Sequence, residues 1–244
     1  MISTGQAKKY AQSWHEGTYG AKDESPPQGT TPLLERFITH LQRYKQSTFK
    51  VPLVLEGGAG SGDHAIRLVQ EGFFVIANEY SEVAAARIRQ RADAMLSECV
   101  KAKLQVVQGD VMGCLEGQKS RSLMGFYANS VVHTFSPEER SALYRAVYRV
   151  QPQCGLVAVS FKANGDGVQY KGDSRTETEA GEIVRDQFGI NRLFVRNPGP
   201  LIEELARAGY RHLETFAWDV KKYIAVNAYD PGVRKFIGFL AEKE

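Results

Sequence analysis

The sequence predicts a doubly wound α/β fold, and three observations predict it. Short apolar runs alternate with longer segments of helical periodicity, the pattern of mostly parallel, buried strands joined by crossover helices. The runs end in polar residues, Glu56, Glu79, Asp110, Asn129 and, slightly later, His133. Ligands in such sheets bind outside the carboxyl ends of the strands, where the strand order reverses. The first run also opens into a glycine-rich turn, Gly57-Gly58-Ala59-Gly60-Ser61-Gly62.

The elements follow in order. Residues 1–30 mix Tyr10, Trp14 and Tyr19 with turn formers such as Gly17, Gly20, Pro26 and Pro27, which suits an N-terminal arm or lid better than a core element. Thr31-Pro32 opens a helix over 33–44, with Leu34, Phe37, Ile38 and Leu41 on one face. A strand over 51–55 leads through the glycine turn to a helix over 63–70. A second strand over 73–77 leads to an Ala- and Arg-rich helix over 82–98. Strands over 104–107, 123–128 and 155–161 repeat the unit. Residues 163–197 turn polar and glycine-rich, an insertion after the fifth strand expected as a cap or mobile loop that shapes a pocket. A helix over 200–208 stops at Gly209, and strands over 212–217 and 223–228 form an antiparallel pair. The whole chain, 1–244, reads as a single domain.

Composition bounds function only broadly. With 43% hydrophobic and 24% charged residues the chain is of ordinary soluble type, and Lys plus Arg exceed Asp plus Glu by 31 − 28 = 3. That bias is too small to point to nucleic acid or a membrane. Cys99, Cys114 and Cys154 are odd in number and widely spaced, so neither a disulfide framework nor a CxxC metal site is expected. The start lacks an apolar signal core, and a cytoplasmic protein is expected.

The chemistry centres on Glu56-Gly57-Gly58-Ala59-Gly60-Ser61-Gly62, an acid at a strand end followed by glycines at alternate positions. Glycine lets backbone approach a ligand with no Cβ in between. The stretch Gly60-x-Gly62-x-x-Ala65 also satisfies a loose dinucleotide fingerprint. Glu79, at the end of the next strand, is placed to accept hydrogen bonds from both hydroxyls of a ribose, a feature that nicotinamide and adenosylmethionine enzymes share.

Together these residues resemble the class I S-adenosylmethionine-dependent methyltransferases. The family pattern of strand, E/D-x-G-x-G-x-G and second-strand acid is matched by Glu56, Gly58, Gly60, Gly62 and Glu79. Gln108-Gly109-Asp110-Val111 is similar to the third-strand segment that meets the adenine. The stretch from Asn129 to Phe135, followed by Ser136-Pro137-Glu138-Glu139-Arg140, resembles the fourth strand and the capped helix after it. Arg149-Val150-Gln151-Pro152 resembles the turn into strand five, where Gln153-Cys154 replaces the usual Pro-Gly-Gly. Trp14-His15-Glu16-Gly17-Thr18-Tyr19 resembles the aromatic entry segment of small-molecule members such as the thiopurine and tellurite-resistance methyltransferases.

The resemblance implies a mostly parallel seven-stranded sheet with the last strand antiparallel and helices on both faces. It implies adenosylmethionine as methyl donor, adenosylhomocysteine as product and a small-molecule acceptor. Glu56, Gly58, Gly60, Gly62, Glu79, Asp110, Val111 and Asn129 would bind the cofactor, and Trp14 and Tyr19 would cover it. His133 is the candidate general base, since its ordinary pKa suits proton transfer near neutrality; a structural imidazole is the other reading. No metal is expected.

Three alternatives stand beside this. A protein or RNA methyltransferase draws on the mild basic charge, but no N-P-P-Y-type motif stands at strand four, where the sequence is Asn129-Ser130-Val131-Val132. A nicotinamide oxidoreductase would need a Tyr-x-x-x-Lys pair after strand five, and none is there. A non-catalytic adenosylmethionine-binding scaffold would share every motif.

Overall fold

The computed structural model describes residues 30–164, 174–185, 190–221 and 233–244. The expected arm, with Trp14 and Tyr19, and the expected strand over 223–228 lie outside these residues.

The first helix, α1 (Pro32–Thr48), starts where the sequence places it. The Thr31 hydroxyl accepts the Leu34 N–H at 3.1 Å and Pro32 fills the first turn. There follow β1 (Leu53–Gly57), α2 (Asp63–Gln70), β2 (Phe74–Glu79), α3 (Glu82–Met95), the single turn α4 (Glu98–Lys101), β3 (Leu104–Gln108), α5 (Val111–Glu116) and β4 (Gly125–Ala128). After a 3₁₀ turn at Val132–Thr134 come α6 (Pro137–Val150) and β5 (Leu156–Ala163). The chain ends with β6 (Ser174–Glu177), β7 (Gly181–Arg185), β8 (Asn191–Val195), α7 (Gly199–Arg207), β9 (Tyr210–Lys221) and β10 (Val233–Lys243). No described helix is long and apolar enough to cross a membrane.

One continuous sheet carries the order β3-β2-β1-β4-β5, all parallel. Beyond β5 lie β10, antiparallel to it, and β9, antiparallel to β10. These seven strands reproduce the expected sheet with its last strand antiparallel. Three more extend it. The stretch expected as a cap or loop contains β6 and β7, paired antiparallel, and β8, which joins β5 in parallel at Lys162 and Ala163.

The position of β8 follows from a difference in strand length. Four-residue β4 pairs with β5 only as far as Ala128 opposite Val159, while β5 runs on to Ala163. Lys162 pairs with Phe236 of β10 on one side and with Phe194 of β8 on the other. β8 therefore takes up the edge of β5 that β4 leaves bare, just beyond the carboxyl end of β4.

Both faces of the sheet are covered. Leu55, Phe126, Val157, Val159 and Phe239 point to one layer with α5, α6 and α7. Their sequence neighbours Val54, Tyr127, Ala158 and Leu240 point to the other, with α1, α2 and α3. This explains why the strands read as unbroken apolar runs.

One expectation needs correction. The helix over 82–98 breaks after Met95, because Leu96 turns extended and buries its side chain while Ser97 begins α4. The strand over 212–217 pairs antiparallel with β10, from Arg211–Glu242 to Ala217–Ile237, while its expected partner over 223–228 lies outside the described residues. Gly238 interrupts the apolar run of β10 in the sequence. A Cβ there would stand 2.9 Å from both Leu33 and Trp218, so α1 and β9 press directly on the bare backbone.

The altered turn before β5 holds a strained residue. Cys154 adopts φ 62°, a left-handed conformation that costs a residue with a Cβ about 1–2 kcal/mol. Cys154→Gly is expected to stabilise the protein by up to about 1 kcal/mol after the entropy of glycine is counted, raising the melting temperature by roughly 2–4 °C. A thermal melt showing no gain would mean that the turn is unstrained.

Candidate cofactor site

The strand order reverses between β1 and β4, which places a crevice at the carboxyl ends of β1, β2, β3 and β4. All the predicted residues within the described chain stand at that edge. The loop after β1 is wired to its neighbours through backbone: Ala59 N–H donates to Asn78 O at 2.9 Å, and Gly62 N–H to Ala59 O at 2.8 Å, just before α2 begins. Two glycines have specific reasons. Gly58 has φ 68°, and a Cβ there would overlap Val131 Cγ2, so the loop after β1 lies directly against the segment after β4. Gly60 has φ 57°, and a Cβ there would meet nothing within 4 Å. It keeps a stretch of backbone open on the crevice side.

Glu79 is 5% exposed. Its Oε2 accepts the Gly60 N–H at 2.7 Å and its Oε1 the Ser81 N–H at 2.9 Å. One carboxylate thus holds the glycine loop and the start of α3 together. Asn78 extends the network, donating from Nδ2 to Gly109 O at 3.0 Å, and Gly109 N–H returns a bond to Glu79 O at 2.9 Å.

Asp110 is exposed and serves as N-cap of α5, its Oδ1 accepting the Met112 N–H at 3.0 Å. Val111 is buried beside Gly57 and begins that helix. Asn129 Oδ1 accepts the Ser160 hydroxyl at 2.6 Å, and Ser160 Oγ in turn accepts the Ser130 N–H at 2.8 Å. Ser130 takes φ 57°, a sharp turn at the end of β4.

Glu56 is 2% exposed and faces the layer of α1 and α2. Its Oε1 lies 3.6 Å from His64 Nδ1, and its Oε2 has no hydrogen-bond partner among the described residues. Burial pushes its pKa above the ordinary carboxylate value; His64 opposes that shift, and the negative charges of Asp63 and Glu79 add to it. Tyr127, edge-on to His64 at 5.3 Å, is held protonated by the same burial and bonds Thr31 Oγ1 at 3.2 Å. Sequence reasoning missed His64, Tyr127 and Thr31. Alternation along β4 places Tyr127 on the face of Glu56, and His64 lies in the first turn after the glycine loop.

His133 sits in the 3₁₀ turn after β4, 2% exposed, with Nε2 3.1 Å from Arg192 Nη1 of β8. A guanidinium only donates, so Nε2 is the accepting nitrogen of a neutral ring. The lone pair expected to collect a proton is turned toward Arg192. Beside this pair a cavity of about 500 Å³ opens between the 3₁₀ turn, α6, α7 and β7, lined by His133, Phe135, Arg140, Ile183, Leu193 and Glu204 among others. Arg140 and Glu204 close one wall as a bidentate pair at 2.6 and 2.7 Å.

A family model described as a methyltransferase domain matches residues 54–155. Solved structures share the fold. The 1,6-didemethyltoxoflavin-N1-methyltransferase of Burkholderia thailandensis is 15% identical, covers 98% of this chain and 88% of its own, and superposes with a TM-score of 0.64. The protein solved in work on conversion of a disulfide bond into a thioacetal group during echinomycin biosynthesis is 17% identical, with coverages of 96% and 93% and a TM-score of 0.64. The glycopeptide N-methyltransferase MtfA is 19% identical, with coverages of 88% and 100% and a TM-score of 0.55. No curated protein sequence matches the chain significantly.

The raised pKa of Glu56 has a signed consequence. A folded-state pKa above the unfolded one means stability that is full below the unfolded value, about 4.3, and that is lost as pH rises through the folded value. Glu56→Gln carries no such charge, so its melting temperature is expected to climb relative to the parent between about pH 4 and pH 8. A difference independent of pH would sink the assignment of a desolvated carboxylate.

Proposed function

We propose that this chain, whose residues 54–155 are a methyltransferase domain in a class I, Rossmann-like fold, transfers a methyl group from S-adenosylmethionine to a small molecule. The observation that carries the reading is the crevice itself. Gly60 leaves open backbone beside a buried acid, Glu79, whose carboxylate accepts the Gly60 and Ser81 N–H groups at the strand end where a ribose would lie. Several solved relatives carry adenosylmethionine or its product: MtfA was solved with both, and the toxoflavin enzyme with S-adenosylhomocysteine.

The residues present fit that cofactor. Glu79 would take the ribose, Asp110 and Val111 would border the adenine, the Gly58 to Gly62 backbone would pass beneath, and Asn129 would close the β4 side. Trp14 and Tyr19 would cover the site from the arm, 1–30. When bound, adenosylmethionine supplies an electrophilic sulfonium methyl, so the protein has to position the acceptor in line and exclude water. Such positioning contributes up to about 7–11 kcal/mol.

The acceptor would occupy the cavity beside His133, whose volume lies within the roughly 300–1,000 Å³ range of small-molecule sites. Part of its wall comes from the described residues of the insertion after β5, among them Thr178, Ile183 and Leu193. His133, paired to Arg192, would shape that wall and hold its ring rather than act as base. The toxoflavin and glycopeptide enzymes act on small molecules, which favours the same acceptor class here. The reading is of one domain acting in the cytoplasm.

Calorimetric titration with adenosylmethionine, adenosylhomocysteine and NAD tests the reading: micromolar binding of the first two and none of the third is expected, and binding of NAD alone would overturn it. Gly60→Ala is expected to weaken adenosylmethionine binding at least tenfold, with a stability loss of only about 1 kcal/mol from the left-handed backbone, because the added methyl meets none of the described residues within 4 Å.

A further inference from the structure

Three acids stand at the strand ends, and their surroundings differ. Glu79 accepts two backbone N–H groups and Asp110 accepts one. Glu56 is the most buried of the three, and its Oε2 meets no donor among the described residues. A carboxylate oxygen left so in an apolar layer is costly until a cation or donor reaches it. The groups facing it sharpen this preference. Asp63 on α2 and Glu79 on β2 are acidic, Tyr127 on β4 is neutral, and α1 contributes only the Thr31 hydroxyl behind Tyr127. Among the described neighbours of Glu56 only His64 can balance its charge.

His64 is firmly placed. It is 5% exposed, packs edge-on against Tyr127 and lies in the first turn of α2, directly after the glycine loop. Nδ1 faces Glu56 Oε1 at 3.6 Å, and Nε2 has no partner among the described residues that would turn the ring elsewhere. Tyr127 is itself tied to Thr31, the cap of α1. The imidazole therefore steadies one carboxylate oxygen and leaves the other to be met.

We propose that His64 is a positioning residue for the amino-acid end of adenosylmethionine: it holds Glu56 so that Oε2 receives the α-ammonium of the ligand. This rests on the cofactor assigned above, in which Glu79 serves the ribose and the α-ammonium is the cationic group that needs an acid.

The test is calorimetric titration of the full chain with S-adenosylhomocysteine and with 5′-methylthioadenosine, which keeps the adenosine thioether but lacks the amino-acid end. His64→Ala is expected to weaken adenosylhomocysteine about tenfold or more, the worth of a charge-assisted contact, while 5′-methylthioadenosine stays within about twofold of the parent. His64→Asn, whose Nδ2 can stand in for Nδ1, is expected to recover most of the loss. His64→Phe, which keeps the ring against Tyr127, is expected to show the same selective loss and serves if the alanine variant does not fold. Equal losses for both ligands, or none for either, would overturn the proposal. If the parent binds neither ligand, it is the cofactor reading that falls, a result distinct from a non-selective loss.

Discussion

The candidate site depends on the pair of hydrogen bonds from Gly60 and Ser81 to one buried carboxylate, Glu79. The two N–H groups belong to different loops, one after β1 and one after β2. Buried amides without acceptors cost about 1–3 kcal/mol each, so this side chain sets the shape of the glycine turn and the origin of α3 together. Asn78 carries the same wiring to the loop after β3. Three strand ends are thereby fixed by backbone bonds, and a ligand entering the crevice has little loop ordering left to do.

The other half of the site depends on strand length. β4 stops four residues short of the end of β5, and the exposed edge of β5 would be a liability if nothing paired with it. β8 takes that edge and brings Arg192 against His133, while β7 lines the cavity. The same bare edge that needs covering thus dictates where the cavity beside His133 forms.

Much of this was legible in the sequence because it is local. The helix over 63–70 was read to the residue, and the five parallel strands to within two or three, since buried strands leave unbroken apolar runs and the glycine turn punctuates the first of them. The strands of the polar stretch were not legible, because β6, Ser174–Glu177, is exposed throughout and shows no apolar period. β10 was missed because Gly238 breaks its run, although Phe236 to Ala241 is otherwise apolar. The pairings of His133 with Arg192 and of Arg140 with Glu204 join residues 59 and 64 positions apart, and no spacing rule reaches that far.

The roles of the two strand-end acids follow from their environments. Glu79 is buried but its carboxylate is met by oriented N–H dipoles, which join the two loops. Glu56 is buried with one oxygen that meets no donor among the described residues, and its pKa is driven upward by desolvation. Such a group opposes folding at neutral pH and is retained where a ligand compensates it. The acid that builds the site and the acid proposed to meet the ligand differ in hydrogen bonding rather than in residue type. Glu56 and Glu79 cannot exchange roles, because Glu79 alone lies between two N–H donors, Gly60 from the turn after β1 and Ser81 from the turn after β2.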